Sequence, residues 1–513
     1  MSDTLFTDGL TVIPAAWAND VNDVTYKCSS IAELKTLSKS RNRRVIVLGY
    51  STPGDGGGGI YYYDFTDSIS ADNGGTIIVA NDGGRWKYLN LTQGVLVDVF
   101  GADPTGATDS TTAINKAITA LGGQLKFRSG AIYSCSGELT LENLFSVTLL
   151  GGGRGSPTIH NNTTVLKFTG TTGTFINIKS TISCAIDGLR ITYSNGSFTG
   201  YLIDASHGSS GRDTSLLEVR NVHLGAYNGA LYTAVGINLD KAIGSSFRCV
   251  SADTLNYAVQ GQNAAGGSYS NAHEFVSCHF ADTIKNPIQD MGDGWSFIGS
   301  NVFEPRNDGH AGALQNSSST PFDGLTLHGN WFGDVTVGGG TWVVLHDCTG
   351  ISVRGNRMGG DGTSQAFSLN NVTGFDTGGN TFKVFNTVYS FGSGTTTKFT
   401  DDGSNNYYTC TTIYGTPSNC TSFKQANPGY VYLANGFIKQ FGSSSVTIGT
   451  PLKVTLPVSF GNTNWTFTHS LYTPPGTNNG FYTTLKNNGD ITLNCTGTAG
   501  TATVDWEATG YVS

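Results

Sequence analysis

Charge is what this 513-residue chain lacks most: Asp, Glu, Lys and Arg together supply 13% of it, about half the ~25% of an ordinary soluble domain. Only seven residues are Glu and three are Met, so the good helix formers are scarce and a mainly helical fold is excluded. No run approaches the ~20 apolar residues of a membrane-crossing helix, and membrane insertion is not expected. A basic stripe is missing too. With a formal net charge of −8, the chain is not expected to bind nucleic acid. Its one basic cluster (Lys35, Lys39, Arg41, Arg43 and Arg44) reads as a solvated helix end or a docking face. The opening MSDTLFTDGL carries two acids and no basic region, unlike a secretory leader. The nine cysteines form no CxxC pair. Cys410 and Cys420 are spaced to bridge a loop, but buried free thiols fit better, as in a chain folded in a reducing cytoplasm. No G-x-S-x-G elbow, H-E-x-x-H pair or calcium loop occurs, and PGDGGGG lacks the Lys-Ser/Thr ending of a phosphate loop. Neither metal nor cofactor is expected.

What the chain has instead is glycine, 70 residues or roughly twice the usual frequency, with much Thr, Asn and Ser and 11% aromatics. These residues suit strands and tight turns. The fold class expected is all-β.

Four regions separate along the chain. Residues 1–27 hold TVIPAAWANDVNDVTY, read as a short helix after Pro14. SSIAELKTLSKS then predicts a helix capped by Ser29 or Ser30, with Glu33 spaced for a capping box, and strands RVIVLGY, GGIYYYDF, GTIIVA and RWKYLNL follow. A third region opens on a helix capped by Asp109 or Ser110, with Ile114, Ala117, Ile118 and Leu121 on its apolar face and Gly122-Gly123 as its stop. The boundaries expected are 1–94, 95–395, a connector at 396–429, and 430–513.

The third region contains a repeat. The stretches CHF, NVF, NWF, NRM and NTF place Phe280, Phe303, Phe332, Met358 and Phe382 at spacings of 23, 29, 26 and 24, and Cys278, Asn301, Asn330, Asn356 and Asn380 two residues earlier. Phe275, Ile298, Leu327, Val353 and Thr377 stand three before that column. Such a pattern predicts a parallel β-solenoid. The Asn column would be an interior corner where amides bond from rung to rung.

Residues FGADPTGATDSTTAINKAI, with GGQLKF and GAIY after them, resemble the opening of the pectate-lyase-like right-handed β-helix superfamily, whose helix caps the solenoid end. VIVLGYSTPGDGGGGIYYYDF and DNGGTIIVANDGGRWKYL resemble the adaptor of bacteriophage tailspikes. NGFIKQFG, LPVSF and the closing WEATGY resemble the β-sandwich knob of phage tail fibres. The resemblance implies a small N-terminal α+β adaptor, a right-handed parallel β-helix and a C-terminal β-sandwich knob. It also implies a homotrimer in the virion tail, attached to phage tail or baseplate proteins through its N-terminal region, that binds a bacterial surface polysaccharide and hydrolyses it.

Side chains alternate across a strand. With the Phe column inside, His279, Val302, Trp331 and Arg357 form one outer line, and Ala281, Glu304, Gly333 and Gly359 another. Val276, Gly299, His328 and Arg354 form a third, and the turn beyond carries Asp282, Asp334 and Asp361. An aromatic face stacks on sugar, Arg pairs with carboxylates, and two acids cleave a glycosidic bond. The catalytic candidates are therefore Glu304, which also fits the N-x-F-E stretches of capsule-cleaving tailspikes, with Asp334 or Asp282. The substrate-binding candidates are Trp331, His328, Arg354, Arg357 and His279. Each has a plainer reading: Asp as turn chemistry, Arg354 and Arg357 as surface partners of Asp334 and Asp361, and Trp331 in a subunit contact. Binding without cleavage, or a lyase acting on a uronic acid, are the rival functions.

Overall fold

The computed structural model describes residues 26–37, 44–89, 94–155, 162–208, 210–229, 231–261, 270–283, 285–305, 312–317, 320–333, 340–392, 396–402 and 404–414, and the backbone of strands from 423 to 511. The helix expected after Pro14 lies outside these residues, as does Asp334. Two compact units divide the chain: residues 1–238 with 248–252, and residues 239–247 with 253–513. Between them they hold about eleven turns of parallel β-solenoid. No described helix is long and apolar enough to cross a membrane.

The first unit opens with a five-stranded sheet in the order Tyr26–Cys28, Arg44–Val47, Gly59–Tyr63, Arg85–Tyr88, Ile77–Val79, antiparallel except for its first pair. Its core gathers Cys28, Ile31, Leu34, Val45, Tyr61, Ile78 and Trp86, and the Tyr63 and Trp86 rings meet edge to face at 5.4 Å. The helix Ile31–Thr36 is capped by Ser30, whose side chain accepts from Glu33 N. The return bond is displaced by one residue, because the Glu33 carboxylate takes the N–H and hydroxyl of Ser29, at 2.7 and 2.6 Å. A second helix, Thr111–Leu121, buries Ile114, Ala117 and Ile118 and stops at Gly122 in the left-handed region. Of its two expected caps, Ser110 turns its Oγ to Asp103 N instead, whereas Asp109 Oδ1 accepts the first helical N–H, that of Thr111, at 3.4 Å, with the Thr111 hydroxyl and Ser136 N.

Three parallel strands form each turn of the first unit's solenoid. Leu125, Leu149, Ile186 and Val219 stack in register on one side, Tyr133, Leu166, Ile191, Leu224 and Ala252 on the second, and Leu139, Ile176, Ile203 and Ile237 on the third. All are buried.

In the second unit the interior turns aromatic. Phe280, Phe303, Phe332, Met358, Phe382 and Tyr407 lie in one register column. Ring pairs stack along it, with centroids 4.8 Å apart for Phe303 and Phe332. The corner amides bond as expected: Asn301 Nδ2 donates to Asn330 Oδ1 at 2.8 Å, Asn330 to Asn356 at 3.0 Å, and Asn356 to Asn380 at 2.9 Å. Asn380 continues to Asn405.

Two expectations need correction. The inner column before the corner runs Phe275, Phe297, Leu327, Val353, Thr377, so Phe297 is buried and Ile298, taken as interior, is 39% exposed. Most corners turn on one left-handed residue (Ser277, Gly329, Gly355, Gly379), but this rung uses two, Gly299 and Ser300, which shifts the count by one. The ladder also continues past 395. Thr397–Asp401, Asn406–Tyr408 and Thr412–Tyr414 pair in parallel with the preceding turn, so a last rung lies within the stretch read as connector. Beyond it, two antiparallel sheets follow. Phe437–Thr447 and Thr466–Tyr472 flank Thr501–Tyr511 in one, and Asp490–Thr496 is central in the other.

The seven described cysteines are free thiols, five of them buried; Cys410 is among the seven, and Cys420 lies outside the described residues.

Candidate functional site

All the candidate residues within the described stretches lie in the second unit, on rungs from Cys278 to Lys383. Register settles their rows. His279, Val302, Trp331, Arg357 and Thr381 are successive partners, and so are Ala281 and Glu304, and Gly359 and Lys383 on later rungs. The third line is Val276, Ile298, His328, Arg354 and Gly378, with Ile298 where Gly299 was expected, for the reason given above.

Two of the candidates touch each other: His279 Nε2 and Glu304 Oε2 are 2.8 Å apart on adjacent rungs. Both side chains reach solvent, at 48% and 34% exposure. Glu304 extends over Gly333, where a Cβ would stand 2.9 Å from Glu304 Cγ. Glycine on the following rung therefore leaves the carboxylate its room. One proton shared across the pair can be delivered to, or taken from, a group lying on the face. Asp282 is the residue after Ala281, the register partner of Glu304, and its N–H donates to the Glu304 carbonyl at 2.9 Å. A rung of ~4.8 Å and a residue step of ~3.3 Å put the two backbones about 6 Å apart. Trp331 follows Val302 one rung on and is 39% exposed, where most large apolar side chains of the solenoid are buried. Arg357 comes next and is exposed.

The corner divides the expected cluster. His328 and Arg354 end strands on one side of the Asn column, whereas His279, Glu304, Trp331 and Arg357 belong to strands on the other. They do not share one outer face. His328 Nε2 lies 2.8 Å from Ser352 Oγ, and burial, aided by the Arg354 guanidinium, holds the imidazole below its ordinary pKa. Arg354 is engaged by Asp376, through Nε at 2.9 Å and Nη2 at 2.5 Å, and by Asp402 through Nη1 at 3.0 Å. These partners stand along its own face, not at the turn. Asp361 is turn chemistry. Burial would raise its pKa, but bonds from Thr363 and Ser364 to its Oδ1 outweigh that and hold it at about 2. No cluster of metal-ligating side chains occurs among the described residues.

Sequence reasoning passed over two contributors. Asn405 extends the corner ladder, and Tyr407 replaces Phe in the third position of the repeat, 25 residues after Phe382; admitting Tyr to the pattern finds both. Gly333 was placed in its column, but only the ladder register shows what its missing side chain accommodates.

Residues 27–91 match the phage tail protein small four-stranded beta-sheet domain. Over 99 residues the chain is 38% identical to a Mu-like prophage defective tail fiber protein of Haemophilus influenzae. Residues 27–91 thus resemble a phage tail domain, and a parallel β-solenoid follows them. The match covers 18% of the chain and 15% of that relative, so the relative's length is mostly unshared. Among solved structures, the gp42 tailspike of Acinetobacter phage vb_AbaP_AS12 superimposes with a TM-score of 0.51 at 12% identity, over 94% of this chain and 93% of that one. At that identity the likeness is one of fold. The gp49 tailspike of Acinetobacter baumannii bacteriophage Fri1, described as a capsular polysaccharide depolymerase, aligns over 95% and 98% with a TM-score of 0.40 and 12% identity.

Proposed function

We propose that this chain is a phage tail protein that binds a bacterial surface polysaccharide, capsule or O-antigen, along the face that carries His279, Glu304, Trp331 and Arg357, and cleaves it there. The observation that carries the reading is the exposed 2.8 Å His279–Glu304 pair one rung from an exposed tryptophan. A pyranose ring stacks on the indole, which places the next linkage beside the pair. In hydrolysis the pair protonates the leaving oxygen while a second carboxylate, Asp282 or Asp334, activates water. Carboxyl groups set ~6.5–9.5 Å apart invert and those at ~5–5.5 Å retain, and the backbone offset of Asp282 makes the wider separation accessible. Residues 27–91 would attach the chain to phage tail proteins, with three copies assembled side by side.

A second reading has an observation of its own. Histidine held by a glutamate is suited to remove a proton beside a uronate carboxylate, with Arg357 on the same row to neutralise it, which is lyase chemistry. The experiment is a time course of the purified protein on capsular polysaccharide. New reducing ends without ultraviolet absorbance support hydrolysis, absorbance rising with them supports elimination, and binding with neither leaves a non-catalytic fibre.

A further inference from the structure

One property of the substrate follows from the charge on this face; it rests on the glycan-binding reading above. The Arg357 side chain is exposed and its guanidinium has no hydrogen bond, ion pair or ring contact among the described residues; its backbone N–H donates to Asn330 O. Other arginines of the solenoid are answered: Arg354 by Asp376 and Asp402, Arg220 by Asp187 and Glu218. The row that holds Arg357 contains no carboxylate on the rungs around it, its partners being Val302, Trp331, Thr381 and Asn406. The neighbouring row holds Lys383 one rung on from Gly359, and its one carboxylate, Glu304, lies two rungs before Gly359 and is taken by His279. Along its own strand the nearest acid is Asp361, whose Oδ1 is taken up by its turn. A chain of net charge −8 thus presents a guanidinium with no described counter-charge, about 4.8 Å by backbone from an exposed indole.

We propose that the Trp331–Arg357 step binds a sugar unit bearing an anionic group, its ring on the indole and its charge on the guanidinium, so that the polysaccharide taken by this face is acidic. The planar fork of Arg pairs with carboxylate and phosphate alike. The anion is therefore that of a uronic acid or a phosphate ester. Trp331 alone would hold a neutral ring equally well, and Arg357 supplies the discrimination. A charge-assisted contact of this kind corresponds to about 10- to 100-fold in affinity and makes binding fall with added salt.

The test uses the full chain on an array of purified bacterial capsular and O-antigen polysaccharides. Each is printed as isolated, after reduction of its uronate carboxyls, and after removal of its phosphate esters. The expected result is binding to acidic polysaccharides, lost on one of the two treatments, which identifies the anion. Arg357→Gln should weaken that binding about 10- to 100-fold and flatten its salt dependence, while Trp331→Ala abolishes it. Binding that survives both treatments, or that Arg357→Gln leaves unchanged, overturns the proposal and leaves glycan binding standing. A change of oligomeric mass in Arg357→Gln, measured by light scattering, places Arg357 in a subunit contact and overturns it too. Failure to bind any printed polysaccharide, acidic or neutral, overturns both readings.

Discussion

Replacing Asn330 by leucine tests what the corner ladder does for the second unit. The Asn330 Nδ2 donates to Phe297 O at 2.9 Å and to Asn356 Oδ1 at 3.0 Å, and its Oδ1 accepts from Asn301 Nδ2 at 2.8 Å. Leucine keeps the backbone donation to Asn356 Oδ1, and Asn301 Nδ2 keeps Phe275 O. Two buried groups then lose a partner, the Phe297 carbonyl and one Asn301 amide proton. At ~1–3 kcal/mol each, less the gain from a buried aliphatic group, the cost is about 2–4 kcal/mol. The corner itself accepts aliphatic residues: in the first unit Leu189, Val222 and Val250 are buried immediately before the register partners Arg190, His223 and Ser251. It is the isolated replacement that hurts, because it strips neighbours built to pair. The double variant Asn330→Leu, Asn356→Leu removes both ends of one bond and should cost about 1 kcal/mol less than the sum of the singles. Unfolding in guanidinium, followed through the buried Trp295 and Trp342, is the assay. A 2 kcal/mol loss in contacts made after the transition state speeds it roughly 30-fold. A single variant that unfolds within about twofold of wild type, or a double variant with strictly additive cost, refutes the argument.

Three further outcomes are expected. His273 is buried between Trp295 and Phe247 and bonded to Ser245 N and Ser270 Oγ, and burial pushes its pKa down to about 3. The unfolded chain therefore takes up a proton first, and stability should fall by ~1.4 kcal/mol per pH unit below about 6.5; a His273→Gln variant that keeps this slope between pH 6.5 and 4.5 contradicts the assignment. Asp98, fully buried, accepts from Tyr133 OH at 2.5 Å and Arg128 Nε at 2.8 Å, so Asp98→Ala should cost about 3–5 kcal/mol in thermal or denaturant unfolding of the first unit, and a loss under 1 kcal/mol speaks against it. Gly333→Ala brings a methyl against Glu304 Cγ and should cut cleavage about tenfold or more with melting temperature and polysaccharide affinity unchanged; an unaltered rate shows that Glu304 needs no such room.

Much of this fold was legible because a solenoid interior repeats its demands. Phe280 to Phe382 and Asn301 to Asn380 occupy equivalent places on successive rungs, so spacing alone exposed them. Irregularity entered where spacing is silent. The extra left-handed residue at Gly299–Ser300 moved Phe297 inside and Ile298 out. The last rung at 397–414 escaped notice because its strands are written in Thr, Asn and Tyr, which also furnish connectors. The candidate site was legible as rows but not as faces. Residue counting places His328 two positions before Asn330 and Trp331 one after it, yet the corner between them puts the two on different sheets. The pairing of Arg354 with Asp376 and Asp402 likewise depends on which rungs adjoin, a fact of register and not of sequence distance.

The central claim is that one carboxylate, Glu304, performs proton transfer on a polysaccharide the face has already bound. The direct measurement compares wild type and Glu304→Gln on the same capsular polysaccharide, recording affinity and the rate of new reducing ends side by side. Glutamine keeps the shape and can still bond to His279. The account predicts unchanged affinity with a rate lowered ~10²- to 10⁴-fold, the usual cost of losing an essential acid or base. Cleavage by Glu304→Gln at close to the wild-type rate contradicts it.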